Sequence, residues 1–224
     1  MNHSADNTAD TNIATGTPVA YAELHCVSNF SFLRGASHPQ ELVQQAVALG
    51  YQGLAITDEC SLAGVVRAWQ ALQDLQQETQ KDPSLAAKLE NFRLIIGSEF
   101  HCDDHIFVVL VTDKKAYSEL CRLITTCRRA AEKGTYLFNP GQLFDLQHCL
   151  LLWQPQQSFY AQPQQSQQPQ QTQQAEFTRR LSHHFAHRLW LLAERMLDAT
   201  DEWRFDRLCR FARQWQIPLT CASQ

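Results

Sequence analysis

The chain has 224 residues and a formal net charge of −4: long enough to bury a full α/β core or two small ones, and too acidic for a freestanding nucleic-acid binder, which carries a basic face. Its eight cysteines form no Cys-x-x-Cys pair and no secretory signal precedes them, so free thiols in a reducing cytoplasm are expected rather than a disulfide framework. No apolar run reaches transmembrane length, which excludes a helical membrane anchor.

Residues 1–18 are polar, with Asp6 and Asp10 and no apolar run, and read as a disordered tail rather than a signal peptide or anchor. A strand over 19–25 ends in His25. After a polar turn, a helix over 39–49 is opened by His38-Pro39, carries a stripe of Leu42, Val43, Ala46, Val47 and Leu49, and is closed by Gly50. The run GLAIT (53–57) is a second strand, ending against Asp58. A helix over 62–77 follows, then strands over 93–99, closing on Glu99, and 106–111. Further on come a helix over 114–132, a strand over 149–153, a helix over 176–184, a strand over 189–193, a helix over 201–214 and a last strand over 217–221. Residues 154–174 are more than half glutamine, with three prolines. That composition cannot offset its ordering entropy, so a disordered insertion over 154–175 is expected.

The order is mostly β-α-β, which calls for a parallel sheet or barrel, and seven strands favour the barrel. Most strands are continuous apolar runs, as in sheets covered on both faces. His25 and Asp58 then stand just past the carboxyl ends of consecutive strands, the edge on which α/β proteins build active sites.

The segments ELHCVSNFSFLRGAS (23–37), LGYQGLAITDECSLAGVVRA (49–68), LIIGSEF (94–100), YSELCRLITTCRRAAEKGTY (117–136), RLWL (188–191) and IPLTCA (217–222) carry a resemblance. In order and spacing they resemble the polymerase-and-histidinol-phosphatase (PHP) domain at the N-terminus of bacterial C-family DNA polymerase α subunits, nearest the error-prone branch. The resemblance implies a distorted seven-stranded β/α barrel of parallel-type units over 19–224, with metal ligands at its mouth. It further implies a DNA-directed DNA polymerase (a nucleotidyltransferase) serving DNA repair, damage-induced mutagenesis and translesion synthesis. The implied partners are the remainder of the polymerase polypeptide and, through it, DNA and replication or mutagenesis proteins, with no membrane partner. The family's nucleotidyl-transfer residues lie far downstream, and none is in this chain.

The family's metal set carries over only in part. Its His-x-His pair reads His25-Cys26-Val27, so one ligand is lost. Arg34 stands where an acidic or histidine ligand precedes a glycine, and its fixed charge repels a metal. The Thr-Asp-His motif reads Thr57-Asp58-Glu59, and Glu99 matches the family's strand-end glutamate. His105 lies one residue out of register with a later ligand, on the opposite face. The last Asp-x-His motif would follow Ala222, whereas the chain stops at Gln224, so the domain reads as cut short at that end. The resemblance therefore leaves a vestigial set of His25, Asp58, Glu59 and Glu99, able to hold one Zn²⁺ or Mn²⁺ weakly at most. A site without cofactor is expected, in which these groups and Arg34 form an ion-paired plug.

His183 and His187 have i, i+4 metal spacing, but no carboxylate stands between them and a solvated helix face is the simpler reading. Arg122, Arg128, Arg129 and Lys133 make one helix end basic, as a helix C-terminus favours. No Gly-x-Ser-x-Gly, P-loop or dinucleotide motif occurs. Three readings remain: a degenerate scaffold domain; an active phosphoesterase or proofreading-type nuclease using His25, Asp58, Glu59 and Glu99; and a truncated gene product.

Overall fold

The computed structural model describes residues 20–103, 105–155, 168–194 and 199–222. The strands are β1 (Ala22–Cys26), β2 (Gly53–Ile56), β3 (Arg93–Cys102), β4 (His105–Leu110), β5 (Leu150–Pro155), β6 (Leu189–Ala193) and β7 (Leu219–Cys221). They form one sheet in sequence order. The helices are α1 (Pro39–Ala48), α2 (Val65–Glu78), α3 (Pro83–Glu90), α4 (Lys114–Arg129), α5 (Gln168–His184) and α6 (Asp201–Trp215). No helix among the described residues is long and apolar enough to cross a membrane.

Local chemistry sets the element ends. Glu41 accepts from the backbone N–H of His38 at the start of α1, Pro39 tolerates the first turn, and Gly50 takes a positive φ of 78° just past the helix end. The helix buries Val43, Ala46 and Val47. Asp82 accepts from the N–H groups of Ser84 and Leu85 and starts α3, a helix the apolar pattern did not announce. All four residues of β2 are buried, as a strand covered on both faces requires.

The sheet is not parallel throughout. β1, β2 and β3 run parallel, as do β5, β6 and β7, but β4 runs antiparallel to both β3 and β5. The parallel-type units expected of the barrel therefore fail at β4. Only residues 103 and 104 join β3 to β4, and a parallel crossover needs a dozen residues or more.

Ala55, Ile106, Val108, Leu110, Leu152, Leu192 and Ala222 form one apolar cluster on the inner side of the curled sheet. A larger outer cluster packs β4, β5 and β6 against α4, α5 and α6 around Phe107, Trp153, Leu120 and Phe185. A third joins α1, α2 and α3 to β2. Among the described residues no ladder joins β1 to β7. The sheet nevertheless curls far enough for His25 of β1 to meet Glu194, just past β6, at 2.6 Å.

The glutamine-rich stretch divides. Gln154 and Pro155 end β5, and Gln168–Gln174 belongs to α5; this corrects the expectation of disorder over those residues. Glutamine is a good helix former, and α5 is anchored by buried Thr178, Leu181 and, just past its end, Phe185. The rest of that stretch, and the tail over 1–19, lie outside the described residues.

Candidate functional site

The carboxyl ends of β1, β2 and β3 bring a polar group together at the sheet rim. Glu99 lies opposite Val108 and His101 opposite Ile106 in the β3–β4 ladder, so both share the face of the inner apolar cluster. Glu59 follows β2 and forms an isolated bridge to Glu99. Oxygens of Glu59 and Glu99 and a ring nitrogen of His101 lie within 4.8 Å of one another.

A guanidinium already stands among them. Arg34 Nη1 donates to Glu99 Oε1, lies 3.2 Å from Glu59 Oε2 and 3.0 Å from His101 Nε2. Two N–H bonds are thus shared among three acceptors. His101 Nε2 is also 3.0 Å from Glu99 Oε1, but one nitrogen cannot donate to Glu99 while accepting from Arg34. Burial lowers the His101 pKa, Glu59 opposes this, and Arg34 and His25 reinforce it. The neutral imidazole accepting from Arg34 is the arrangement that agrees.

The remaining oxygens are held from behind. Glu99 Oε2 lies 2.6 Å from His25 Nε2 and Glu194 Oε1 2.6 Å from His25 Nδ1, while Gln154 donates to Glu194 Oε2 at 2.7 Å. Tyr136 donates to Glu59 Oε1 at 2.8 Å and accepts from the N–H of His101 at 3.0 Å. Burial and the adjacent Glu59 raise the Tyr136 pKa, despite the opposing bond from His101. On the outer side Arg128 of α4 donates to the backbone carbonyls of Glu59 and Cys60, both at 3.1 Å. This fixes the turn that carries Glu59.

Asp58 faces elsewhere. Its Oδ1 accepts from Ser28 N at 2.8 Å and Ser31 Oγ at 2.8 Å, and its Oδ2 from Ser28 Oγ at 2.8 Å. It organises the β1–α1 loop and is absent from the close Glu59–Glu99–His101 group. His105 lies beside Phe107, Trp153 and Phe177, with Trp153 Nε1 donating to its Nδ1 at 3.2 Å. That is the helix-covered face expected from its register. Cys26 supplies no thiolate, because burial, with Glu23 and Asp58 nearby, pushes its pKa up to about 12. The i, i+4 helical pair expected of His183 and His187 does not form: His183 is on the last turn of α5, whereas His187 lies past its end with a positive φ of 65°, and both are exposed, while His184 donates to Leu146 O at 2.8 Å.

Three participants escaped the sequence reading. His101 had a usable signal, since it stands two residues after Glu99 on one strand and so shares its face. Glu194 had none, because it reaches His25 only through the curl of the sheet, and Tyr136 had none, because it comes from the loop after α4 and meets Glu59 and His101 only in the folded chain.

The sequence profile of the PHP domain matches residues 23–203. The chain belongs to the PHP domain family. It is 46% identical over 206 residues to an error-prone DNA polymerase of Hahella chejuensis, covering 92% of this chain and 18% of that protein. It is 41% identical over 204 residues to one of Vibrio vulnificus, covering 91% and 17%, and 39% identical over 214 residues to one of Methylococcus capsulatus, covering 94% and 18%. The chain thus spans under a fifth of the length of these relatives. A crystal structure from Bifidobacterium adolescentis, described as a candidate metal-dependent phosphoesterase, superposes with a TM-score of 0.52 at 15% identity, covering 92% of this chain and 87% of that one. At that identity the likeness shows the fold alone.

The resemblance implies metal ligands at the barrel mouth, but these residues as placed do not fit a metal cluster. The nitrogen of Arg34 fills the space between the three candidate donors, and the oxygens of Asp58 are spent on serines. A divalent ion at that point would meet a fixed positive charge at contact distance, which is repulsive at any local dielectric.

Proposed function

We propose that this PHP domain is part of an error-prone DNA polymerase and serves there as a scaffold, not as a hydrolase. The reading of the whole protein rests on the likeness to the named polymerases, at 41% to 46% identity for Hahella chejuensis and Vibrio vulnificus. Their length beyond this region leaves room for a polymerase body, whose nucleotidyl-transfer residues this chain does not contain. In that setting the protein copies damaged templates in the cytoplasm, with DNA and replication proteins as partners through the full polypeptide.

The scaffold reading rests on one observation: each carboxylate at the rim is hydrogen-bonded by the chain itself. Arg34 and His25 satisfy Glu99, Arg34 and Tyr136 satisfy Glu59, Ser28 and Ser31 satisfy Asp58, and His25 and Gln154 satisfy Glu194. A hydrolytic site keeps a donor set open for the ion and its water; this network has closed on itself. The network then contributes rigidity at a rim where a larger protein can be attached.

The test uses the longer polypeptide that carries this region. Primer extension over an abasic template is expected, and His25→Ala with Asp58→Ala lowers thermal stability and extension together. The same preparation is incubated with Mn²⁺ and a 3′-labelled single strand. Metal-dependent release of nucleotide that disappears in Glu99→Ala, with stability unchanged, would establish the phosphoesterase alternative instead.

A further inference from the structure

We infer that Arg34 is the resident cation of a mononuclear metal site, and that its removal alone opens that site to a divalent ion held by Glu59, Glu99 and His101. This deepens the scaffold reading by naming the residue that keeps metal out.

The donor set has the composition that Zn²⁺ or Mn²⁺ takes: one imidazole nitrogen and two carboxylate oxygens. Its three atoms lie within 4.8 Å of one another, so they need to close by only a few tenths of an ångström to meet the roughly 4.4 Å that two donors at about 2.2 Å from one ion can span. Arg34 Nη1 contacts all three, so one positively charged atom stands where the ion would.

The outer shell supports the same conclusion. A metal-binding carboxylate is usually oriented by a hydrogen bond to its second oxygen. Glu99 presents Oε1 to Arg34 while His25 holds Oε2, and Glu59 presents Oε2 while Tyr136 holds Oε1. Tyr136 also anchors the backbone N–H of His101. None of these supports passes through Arg34, so all survive its loss. Arg34 itself comes from the β1–α1 loop, whose shape is set separately by Ser28 and Ser31 on Asp58. Without the guanidinium, two carboxylates face each other with one positive charge removed, and a divalent ion relieves that repulsion.

The test is Mn²⁺ and Zn²⁺ binding by calorimetry on the chelator-treated chain, with Mn²⁺ also followed by loss of its free-ion electron paramagnetic resonance signal. The unmodified chain is expected to bind neither ion below millimolar concentration. Arg34→Ala should bind one ion per chain at least 100-fold more tightly than the unmodified chain. Arg34→Ala with His101→Ala should lose at least 10-fold of that affinity, and Arg34→Lys, which retains a cation, should stay metal-free. Circular dichroism melts report folding in each case. If Arg34→Ala does not fold alone, Arg34→Gln is used, and a melting temperature that rises with added Mn²⁺ reports binding to the folded state. Tight metal binding by the unmodified chain overturns both this inference and the metal-free scaffold. A metal-free unmodified chain with a folded but metal-free Arg34→Ala and Arg34→Gln, or with binding indifferent to His101, overturns this inference alone.

Discussion

His25 and Glu99, separated by 74 positions, meet with Nε2 and Oε2 2.6 Å apart, and both side chains are fully buried. The same imidazole reaches Glu194 through Nδ1. Each of these two short contacts needs a proton between nitrogen and oxygen, so the histidine ties three strand ends into one polar unit.

Removing that histidine leaves Glu99 and Glu194 without their shared donor. His25→Ala is expected to destabilise the fold by about 3–5 kcal/mol, the usual cost of breaking a buried charged pair from one side. Urea denaturation checks this, and a change below about 1 kcal/mol would mean that the contact contributes little.

Asp58 is a loop organiser, and its substitutions should rank accordingly. Asp58→Asn keeps an oxygen acceptor for Ser28 N and Ser31, and its amide can donate to Ser28 Oγ. Asp58→Ala strands all three donors, each costing about 1–3 kcal/mol when buried and unpaired. Alanine is therefore the more damaging change, and hydrogen exchange should rise over residues 28–35 in that variant. Equal effects of the two substitutions would contradict the role.

Gly35, next to Arg34, has no room for a side chain. A Cβ there would lie 2.1 Å from the carbonyl oxygen of Ser28 and 2.9 Å from that of Val27, and backbone cannot yield as a flexible side chain would. Gly35→Ala is expected to destabilise by about 1–3 kcal/mol, as overpacking does, and to shift the resonances of His101 by displacing Arg34. Thermal melts and a histidine-region NMR spectrum test both parts.

Away from the site, burial tends to raise the pKa of Glu119, but hydrogen bonds from the His148 side chain and from the N–H groups of His148 and Gln147 outweigh it. The result lies below the ordinary 4.5. A depressed carboxyl contributes stability above its unfolded pKa and loses it as pH falls through the folded one. The stability lost in Glu119→Gln should thus be largest above pH 4.5 and shrink below it, as measured by urea unfolding across the acid range. A difference independent of pH would rule out this linkage.

The seven strands were legible because most are apolar runs bounded by turns, and five of the helices because each has an apolar stripe. The reversal at β4 was also written in the chain: two residues between Cys102 and His105 cannot hold a crossover. It was missed because continuous apolar runs suit buried strands of either direction. α3 was missed because its eight residues bury Leu89 alone, leaving only the Asp82-Pro83 start signal. In the site, family motifs marked Glu59, Glu99, Arg34 and His25, but which atoms face which depends on the curl of the sheet. Asp58 and His101 show this most clearly: one belongs to a motif yet turns to the serines, while the other belongs to none yet stands at the centre.

Among the described residues, strands β1 and β7 share no ladder, and the seam between the sheet's two ends is spanned by side chains. His25 reaches Glu194, while Leu24 and Ala222 join the same inner apolar cluster. Backbone ladders repeat with little regard to residue type, whereas this seam is encoded in a few identities. Substitutions there would alter the radius of the curl before they altered strand order. The distance across the rim is therefore an inherited dimension that can drift independently of the fold, and with it the fit of whatever is mounted on that rim.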